Sequence, residues 1–182
     1  MILRIVMHKV AIYPGTFDPI TNGHLDIIKR CVGIFDKVIV AVAKNENKNP
    51  MFNLTQRLEM ITLALDSMRG VEVEGFDCLL AEFAKHKGSN VLIRGLRAVS
   101  DFEYELQLGY TNTSLNPSLD TMYFMPSLQN AFISSSVVRS IILYNGQIAH
   151  MVPQPVCDYI QRLRDRPQQE DTTTNINTKG DK

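Results

Sequence analysis

The sequence predicts an α/β fold in which a doubly wound parallel sheet carries helices on both faces. Short runs rich in β-branched residues alternate along the chain with segments whose apolar residues recur at helical spacing, which is the pattern of βαβ units. The first unit is the clearest, because a short apolar strand at residues 10–13 passes through a glycine-containing turn into an amphipathic segment. Together these observations predict a Rossmann-like sheet of five parallel strands, followed by C-terminal helices.

Each strand and helix is assigned from the spacing of its apolar residues. The five strands are expected at residues 8–13, 37–43, 71–75, 90–94 and 121–125. In the first helix, expected at 23–35, one face is formed by Leu25, Ile28, Val32 and Phe35. In the second helix, expected at 55–68, the inner face is marked by Leu58, Ile61 and Leu65.

Four further helices complete the predicted order. Two connect the later strands, at 79–87 and 100–115, and two follow the last strand, at 134–144 and 153–164. Asn145 and Gly146 stop the first of the last pair, and a proline begins the second. In such a sheet, ligands bind beyond the carboxyl ends of the strands, where the strand order reverses. The loops expected to converge there are residues 16–24, 44–52, 76–80, 95–105 and 126–136.

The composition is typical of a soluble protein with one domain. Of the 182 residues, 45% are hydrophobic and 21% are charged, so we expect one domain over residues 1–165. Residues 166–182 are polar apart from one isoleucine, which predicts a disordered tail. No apolar run approaches the roughly 20 residues that span a bilayer, and no secretion signal is evident, so no membrane partner is expected.

Charge and cysteine content argue against further classes. Nineteen basic and nineteen acidic residues give a formal net charge of zero, which argues against a nucleic-acid-binding surface. Cys31, Cys78 and Cys157 lack the spacing of a disulfide framework or a zinc site, so a cytoplasmic location is expected. Because the net charge is zero, any affinity for phosphate must come from a small group of residues at one site.

The segment YPGTFDPITNGH, at residues 13–24, is the most informative in the chain. It opens the first helix, whose N-terminus offers free backbone N–H groups and the positive end of the dipole to an anion. Gly15 and Gly23 let the backbone approach a ligand closely, and His24 lies in the first turn, where its ring can donate to the same anion. For a glycine or histidine taken alone, an ordinary strand-turn-helix joint is the alternative.

Three further segments carry residues suited to phosphates. The loop at 44–52 has two lysines, although polar loops of this kind are usually solvated connectors. Arg94 and Arg97 bracket Gly95, in a turn that presents two planar forks, with surface salt bridges as the alternative. The serines at 134–136 precede an apolar helix and can both cap it and contact phosphates.

These segments together resemble the bacterial phosphopantetheine adenylyltransferases of the nucleotidylyltransferase superfamily. The resemblance covers about residues 8–160 and includes the T/H-x-G-H signature, K-x-P-M-F at 48–52, I-R-G-L-R-x-x-x-D-F-E-Y-E at 93–105 and I-S-S-[ST] at 133–136. It implies transfer of AMP from ATP to 4′-phosphopantetheine, giving dephospho-coenzyme A and pyrophosphate. It also implies Mg²⁺ that arrives with ATP, and a homohexamer.

The resemblance further implies roles for the matched residues. Catalysis is expected from His24, Thr16, Lys48 and Arg97, and contacts to phosphopantetheine from Thr16, Lys48, Leu80 and Arg94. For Leu80 an ordinary core position is the alternative. Contacts to ATP are expected from Thr16, Phe17, His24, Gly95, Leu96, Arg97, Glu105, Asn130, Ala131, Phe132, Ile133, Ser134, Ser135 and Ser136. No metal ligands within the chain are expected.

Two other functions stay open at this point. Another enzyme of the superfamily, such as a nicotinate-nucleotide adenylyltransferase or a cytidylyltransferase, would share Thr16 and His24. It would not be expected to carry both the Lys48 loop and the segment at 94–105. A catalytically silent nucleotide-binding regulator is disfavoured because His24, Lys48 and Arg97 are all intact.

Overall fold

Five parallel strands form a single sheet in the computed structural model, which describes residues 9–44 and 49–165. The strands are β1 (Val10–Gly15), β2 (Lys37–Ala43), β3 (Val71–Phe76), β4 (Val91–Gly95) and β5 (Asp120–Phe124), in the spatial order β3-β2-β1-β4-β5. The helices are α1 (Asn22–Val32), α2 (Leu54–Leu65), α3 (Leu80–His86), α4 (Val99–Leu115), α5 (Ser135–Leu143) and α6 (Gln154–Arg164). The predicted doubly wound α/β fold is confirmed.

Strands β1, β2 and β4 carry apolar side chains on both faces, because helices cover the sheet on both sides. Alternate residues of β1 and β2 point into two separate cores, as the pleat requires. One core takes in side chains from α1, α2, α5 and α6, and it includes Ala11, Tyr13, Val38, Val40 and Val42. The other takes in side chains from α3 and includes Ile12, Ile39, Ala41 and Leu92.

Three predicted boundaries differ from the structure for clear physical reasons. Helix α1 ends at Val32, three residues early, because the N–H groups of Ile34 and Phe35 both bond to the Cys31 carbonyl in a turn that brings Phe35 into the core. Strand β1 continues two residues further than predicted, through Pro14 to Gly15. Helix α2 also ends three residues earlier than predicted, at Leu65, whose carbonyl accepts from the Met68 N–H in a turn. The remaining helix and strand ends differ from the predictions by at most two residues.

Strands β1 and β4 separate towards their carboxyl ends, and this opens the crevice. β1 pairs with β2 along its whole length, but with β4 only at Ala11 and Ile12. Beyond that point the Pro14 carbonyl accepts a bond from the Arg94 side chain, 3.1 Å away. No ladder partner needs a Pro14 N–H there, so a proline is tolerated in this central strand. The gap lies where the strand order reverses, as the sequence predicts.

The helices of the described ranges are too short or too polar to cross a membrane. Two predictions fall elsewhere in the chain. Lys48 and the tail at 166–182 both lie outside the described residues.

Candidate active site

A cavity of about 580 Å³ fills the gap between the ends of β1 and β4. Its walls come from the turn after β1, the start of α1, the end of β4, α4, and the N-terminal half of α5. Twelve of the predicted site residues line it: Thr16, Phe17, His24, Arg94, Gly95, Arg97, Glu105, Asn130, Ile133, Ser134, Ser135 and Ser136. Segments that the sequence predicts to bind phosphate, from early and late in the chain, therefore meet in one place.

Four predicted residues do not line this cavity. Leu80 packs against the second core, and Leu96, Ala131 and Phe132 lie beside lining residues without facing the cavity themselves. For Leu80 the reason is the strand order, because β3 is an edge strand and the loop that follows it is separated from β4 by β2 and β1. The loop after β2 contributes Pro50.

The turn after β1 is shaped by an aromatic residue in an unusual backbone conformation. Phe17 has φ of 48° and is buried, with its ring edge-on to His24 at a centroid distance of 5.1 Å. A side chain at Gly15 would place its Cβ 2.9 Å from that ring, so the turn requires glycine there. Strain of this kind clusters at functional sites, and here the Phe17 ring supports His24 from one side.

His24 is fixed by a capping box at the start of α1. The Thr21 hydroxyl accepts from the His24 N–H at 3.4 Å, and the Thr21 N–H donates to His24 Nδ1 at 3.0 Å. A backbone N–H can only donate, so Nδ1 carries no proton and the ring hydrogen lies on Nε2. The side chain that sequence reasoning placed in the first turn is thus held as an Nε2–H donor.

His24 is also kept neutral. Burial lowers the pKa of its imidazole to about 4, and the charges of Arg97 and Arg94 lower it in the same direction. A second proton would have to enter on Nδ1, against the Thr21 N–H. At neutral pH the ring is therefore a neutral hydrogen-bond donor.

This depressed pKa predicts a pH dependence of stability. An unfolded histidine takes up a proton near pH 6.5, whereas folded His24 resists protonation down to about pH 4. The stability that His24 contributes should be complete above about pH 6.5 and should fall as the pH drops towards 4. Urea unfolding from pH 7 to 4.5 should show a steeper loss for the wild type than for His24→Gln. Parallel curves would contradict the assignment.

Arg94 and Glu105 form a bidentate ion pair at the cavity wall. Arg94 Nε and Nη2 each donate to a Glu105 carboxylate oxygen at 2.6 Å. Burial opposes the charge of Arg94, but the bonds and charge of Glu105 outweigh it, so the pKa of Arg94 is raised. The resemblance implied separate ligands for these two residues, and the pair links them in one unit.

Two more arginines line the cavity, and their guanidinium groups contact different partners. Arg97 is the more exposed, and its guanidinium lies 3.3 Å from Asp101, in the first turn of α4. Arg139, on α5, donates to the Asp18 backbone carbonyl at 2.8 Å. Arg139 was not among the predicted residues, since an arginine within an apolar helix gives no sign of the face on which it lies.

The serines at the start of α5 make different hydrogen bonds. Ser134 caps α5 by accepting from the Val137 N–H at 3.2 Å, as expected for one of the three. Ser135 donates to the Pro19 carbonyl at 2.9 Å and so ties α5 to the turn after β1. The start of α5 lines the cavity, and its free backbone N–H groups are of the kind that bind anions.

Two buried charged residues support the walls, and sequence reasoning missed both as functional candidates. The Asp18 carboxylate accepts from the N–H groups of Met51 and Phe52, each at 2.9 Å. Arg57, on α2, is 1% exposed, and within the described part of the chain its guanidinium donates to backbone carbonyls alone. Asp18 lay within the most informative segment, but nothing in the sequence shows that Arg57 faces inward.

Comparison with known proteins identifies close relatives. Residues 12–141 match a family model described as cytidylyltransferase-like. A phosphopantetheine adenylyltransferase of Wolinella succinogenes is 65% identical over 158 residues, which cover 87% of this chain and 98% of that protein. Proteins with the same name from Helicobacter hepaticus and Helicobacter acinonychis are 63% and 59% identical over 157 residues, 86% of this chain and 95% and 100% of theirs.

Proposed function

The chain belongs to the phosphopantetheine adenylyltransferase family, and we propose that its crevice binds ATP and 4′-phosphopantetheine together. It is a nucleotidyltransferase of coenzyme A biosynthesis, forming dephospho-coenzyme A. The observation that carries the proposed mechanism is the neutral His24 donor in a cavity that also holds Arg94 and Arg97.

The proposed chemistry is an in-line displacement at phosphorus. An oxygen of the phosphopantetheine phosphate attacks the α-phosphorus of ATP, and the bond from that phosphorus to the β-phosphate oxygen breaks to release pyrophosphate. The nucleophile is already an anion at neutral pH, so no protein base is needed. The protein contributes position and charge stabilisation, for which His24 Nε2–H and the arginines are suited.

For the remaining contacts we propose the roles that the family resemblance implies. The Thr16 hydroxyl, at the end of β1, positions the reacting phosphates, and Arg97 with Lys48 balances their charge. The start of α5 and Glu105 hold ATP, with Arg94 and Leu80 on the phosphopantetheine side. Support comes from the shared cavity, except for Leu80, which lies outside its walls, and Lys48, which lies outside the described residues.

We propose that Mg²⁺ enters with ATP and is held by the phosphate oxygens. Among the residues that the structure describes, two carboxylates line the cavity, and both are already engaged, Glu105 by Arg94 and Asp18 by two backbone N–H groups. The ion would neutralise phosphate charge during transfer. The three cysteines are unpaired, which is compatible with the cytoplasmic location we propose.

An assay of pyrophosphate release tests the function. With ATP and Mg²⁺, release should depend on 4′-phosphopantetheine and should not occur with nicotinate mononucleotide as acceptor. CTP in place of ATP should also fail. Release with nicotinate mononucleotide, or with CTP, would assign the chain to another activity of the superfamily. Nucleotide binding without any release would favour the regulator.

We also propose that the chain assembles as a homohexamer, with α4 in an interface. Of the 17 residues of α4 only Glu105 is buried, and the exposed apolar side chains include Val99, Phe102, Tyr110 and Leu115. An apolar helix surface of this extent is typical of association sites.

Light scattering coupled to size exclusion should give about six times the 20.6 kDa chain mass. A Phe102→Asp, Tyr110→Asp double variant should elute as smaller species, because it places charges on the apolar surface. The matched control is Leu143→Asp, an exposed leucine on α5. A monomeric wild type would contradict the proposal.

A further inference from the structure

Arg57 is a buried cation whose guanidinium N–H groups donate to backbone carbonyls around the crevice. Within residues 9–44 and 49–165 it has no carboxylate at ion-pair distance. Instead its guanidinium donates to carbonyls of Thr16 and Ala43 at 2.8 Å, Phe52 at 3.0 Å and Lys44 at 3.1 Å. Burial lowers the pKa of Arg57, which the charge of Asp18 partly offsets. Such a group is costly unless its bonds are well made.

The four carbonyls belong to three separate pieces of backbone. Thr16 follows the end of β1, Ala43 and Lys44 lie at the end of β2, and Phe52 immediately precedes the cap of α2. A planar fork with five N–H groups can reach all three at once, whereas an ammonium group on a lysine stem cannot present the same geometry. Arg57 therefore fixes the spacing between the two strand ends.

The local sequence aims Arg57 at this junction. Asn53 caps α2 through a capping box with Gln56, and this defines where the helix begins. Arg57 then lies one turn into α2, and long helical side chains lean back towards the N-terminus, here towards Phe52 and the strand ends. Asp18 holds the same stretch from the other side, through the N–H groups of Met51 and Phe52.

We propose that Arg57 is a positioning residue for adenylyl transfer, holding the Thr16 backbone in register with the end of β2 so that the reacting phosphates lie in line. The proposal rests on the proposed function. Arg57 does not line the cavity, so it acts through Thr16 and the turn that carries Phe17 and Asp18. A misplacement of these groups should lower turnover more than it weakens ATP binding.

The test compares Arg57→Met and Arg57→Lys with Met60→Ala. Met60 lies on the same helix, is fully buried and is absent from the cavity wall, so its truncation destabilises the core without removing a hydrogen bond to the strand ends. Turnover is measured well below every melting temperature. Arg57→Met should lose at least tenfold in kcat, Arg57→Lys should lose less, and KM for ATP should change by no more than about threefold. Met60→Ala should keep kcat within twofold.

Hydrogen exchange gives a second readout that a general loss of stability does not imitate. In Arg57→Lys, exchange should quicken in peptides covering residues 14–18 and 49–53 and stay unchanged in β3. If kcat of the Arg57 variants follows melting temperature as it does for Met60→Ala, or if exchange quickens everywhere, Arg57 is a stabilising residue only and the proposal fails. An inactive wild type would instead count against the proposed function.

Discussion

His24→Ala is expected to lower turnover by about 10² to 10³ while ATP binding stays within a few fold. That range is the cost of removing one donor that acts on charge developing in the transition state. The structure gives the donor atom as Nε2–H, because Nδ1 is occupied by the Thr21 N–H. Steady-state kinetics with each substrate varied, together with ATP titration calorimetry, measure the two effects separately.

Alanine also removes half of the capping box, which should cost about 1 kcal/mol of stability. His24→Gln is the matched control, since a glutamine at this position can accept the Thr21 N–H as in an ordinary capping box. We expect His24→Gln to restore the melting temperature and to leave turnover low. Recovery of turnover together with stability would show that His24 serves the helix start alone.

The placement of His24 at the start of α1 could be predicted from sequence because all its determinants are local. The glycine turn, the helix start and the threonine three residues earlier lie within one segment, so the capping geometry follows from short-range spacing. The neutral state of the ring could not be predicted. It depends on burial against Phe17 and on the charges of Arg94 and Arg97, which are about 70 residues away along the chain.

The fold class was similarly accessible, and the order of the strands was not. Alternation of apolar strands and amphipathic helices specifies parallel units, but their order decides which loops meet. Because β3 lies at the edge, Leu80 is in the second core while the ends of β1 and β4 form the cavity. The position of Arg57 could not be predicted for a related reason. Its hydrogen-bond partners are backbone carbonyls, which every residue has, so the sequence does not show which of them it binds.

The pairing of Arg94 with Glu105 changes what the arginine variants should do. Arg94→Ala removes the phosphate contact that we propose and also leaves Glu105, which is 8% exposed, without its arginine partner. Loss of one charge-assisted contact costs on the order of 2 kcal/mol, roughly thirtyfold in affinity. The freed negative charge should add to that loss by repelling phosphates. We expect KM for phosphopantetheine to rise by more than thirtyfold.

The Arg94→Ala, Glu105→Gln double variant separates these two causes, because it removes the repelling charge along with the contact. It should recover part of the loss, giving a KM between those of the wild type and of Arg94→Ala. An unchanged KM in the double variant would mean that the Glu105 charge does not repel the bound phosphates.

Arg97 is held less firmly than Arg94, so its variants should behave differently. Its ion pair with Asp101, at 3.3 Å, is longer than the 2.6 Å contacts between Arg94 and Glu105, and its side chain is 41% exposed. The guanidinium can therefore move onto the α-phosphate as that phosphorus becomes five-coordinate. Arg97→Ala should lower kcat by roughly thirtyfold and change KM for phosphopantetheine little. The control Asp101→Asn frees Arg97 and should keep kcat within a few fold. If the two arginines have separate roles, Arg94→Ala raises KM for phosphopantetheine and Arg97→Ala lowers kcat. If both variants give the same kinetic profile, the two arginines form one shared basic patch.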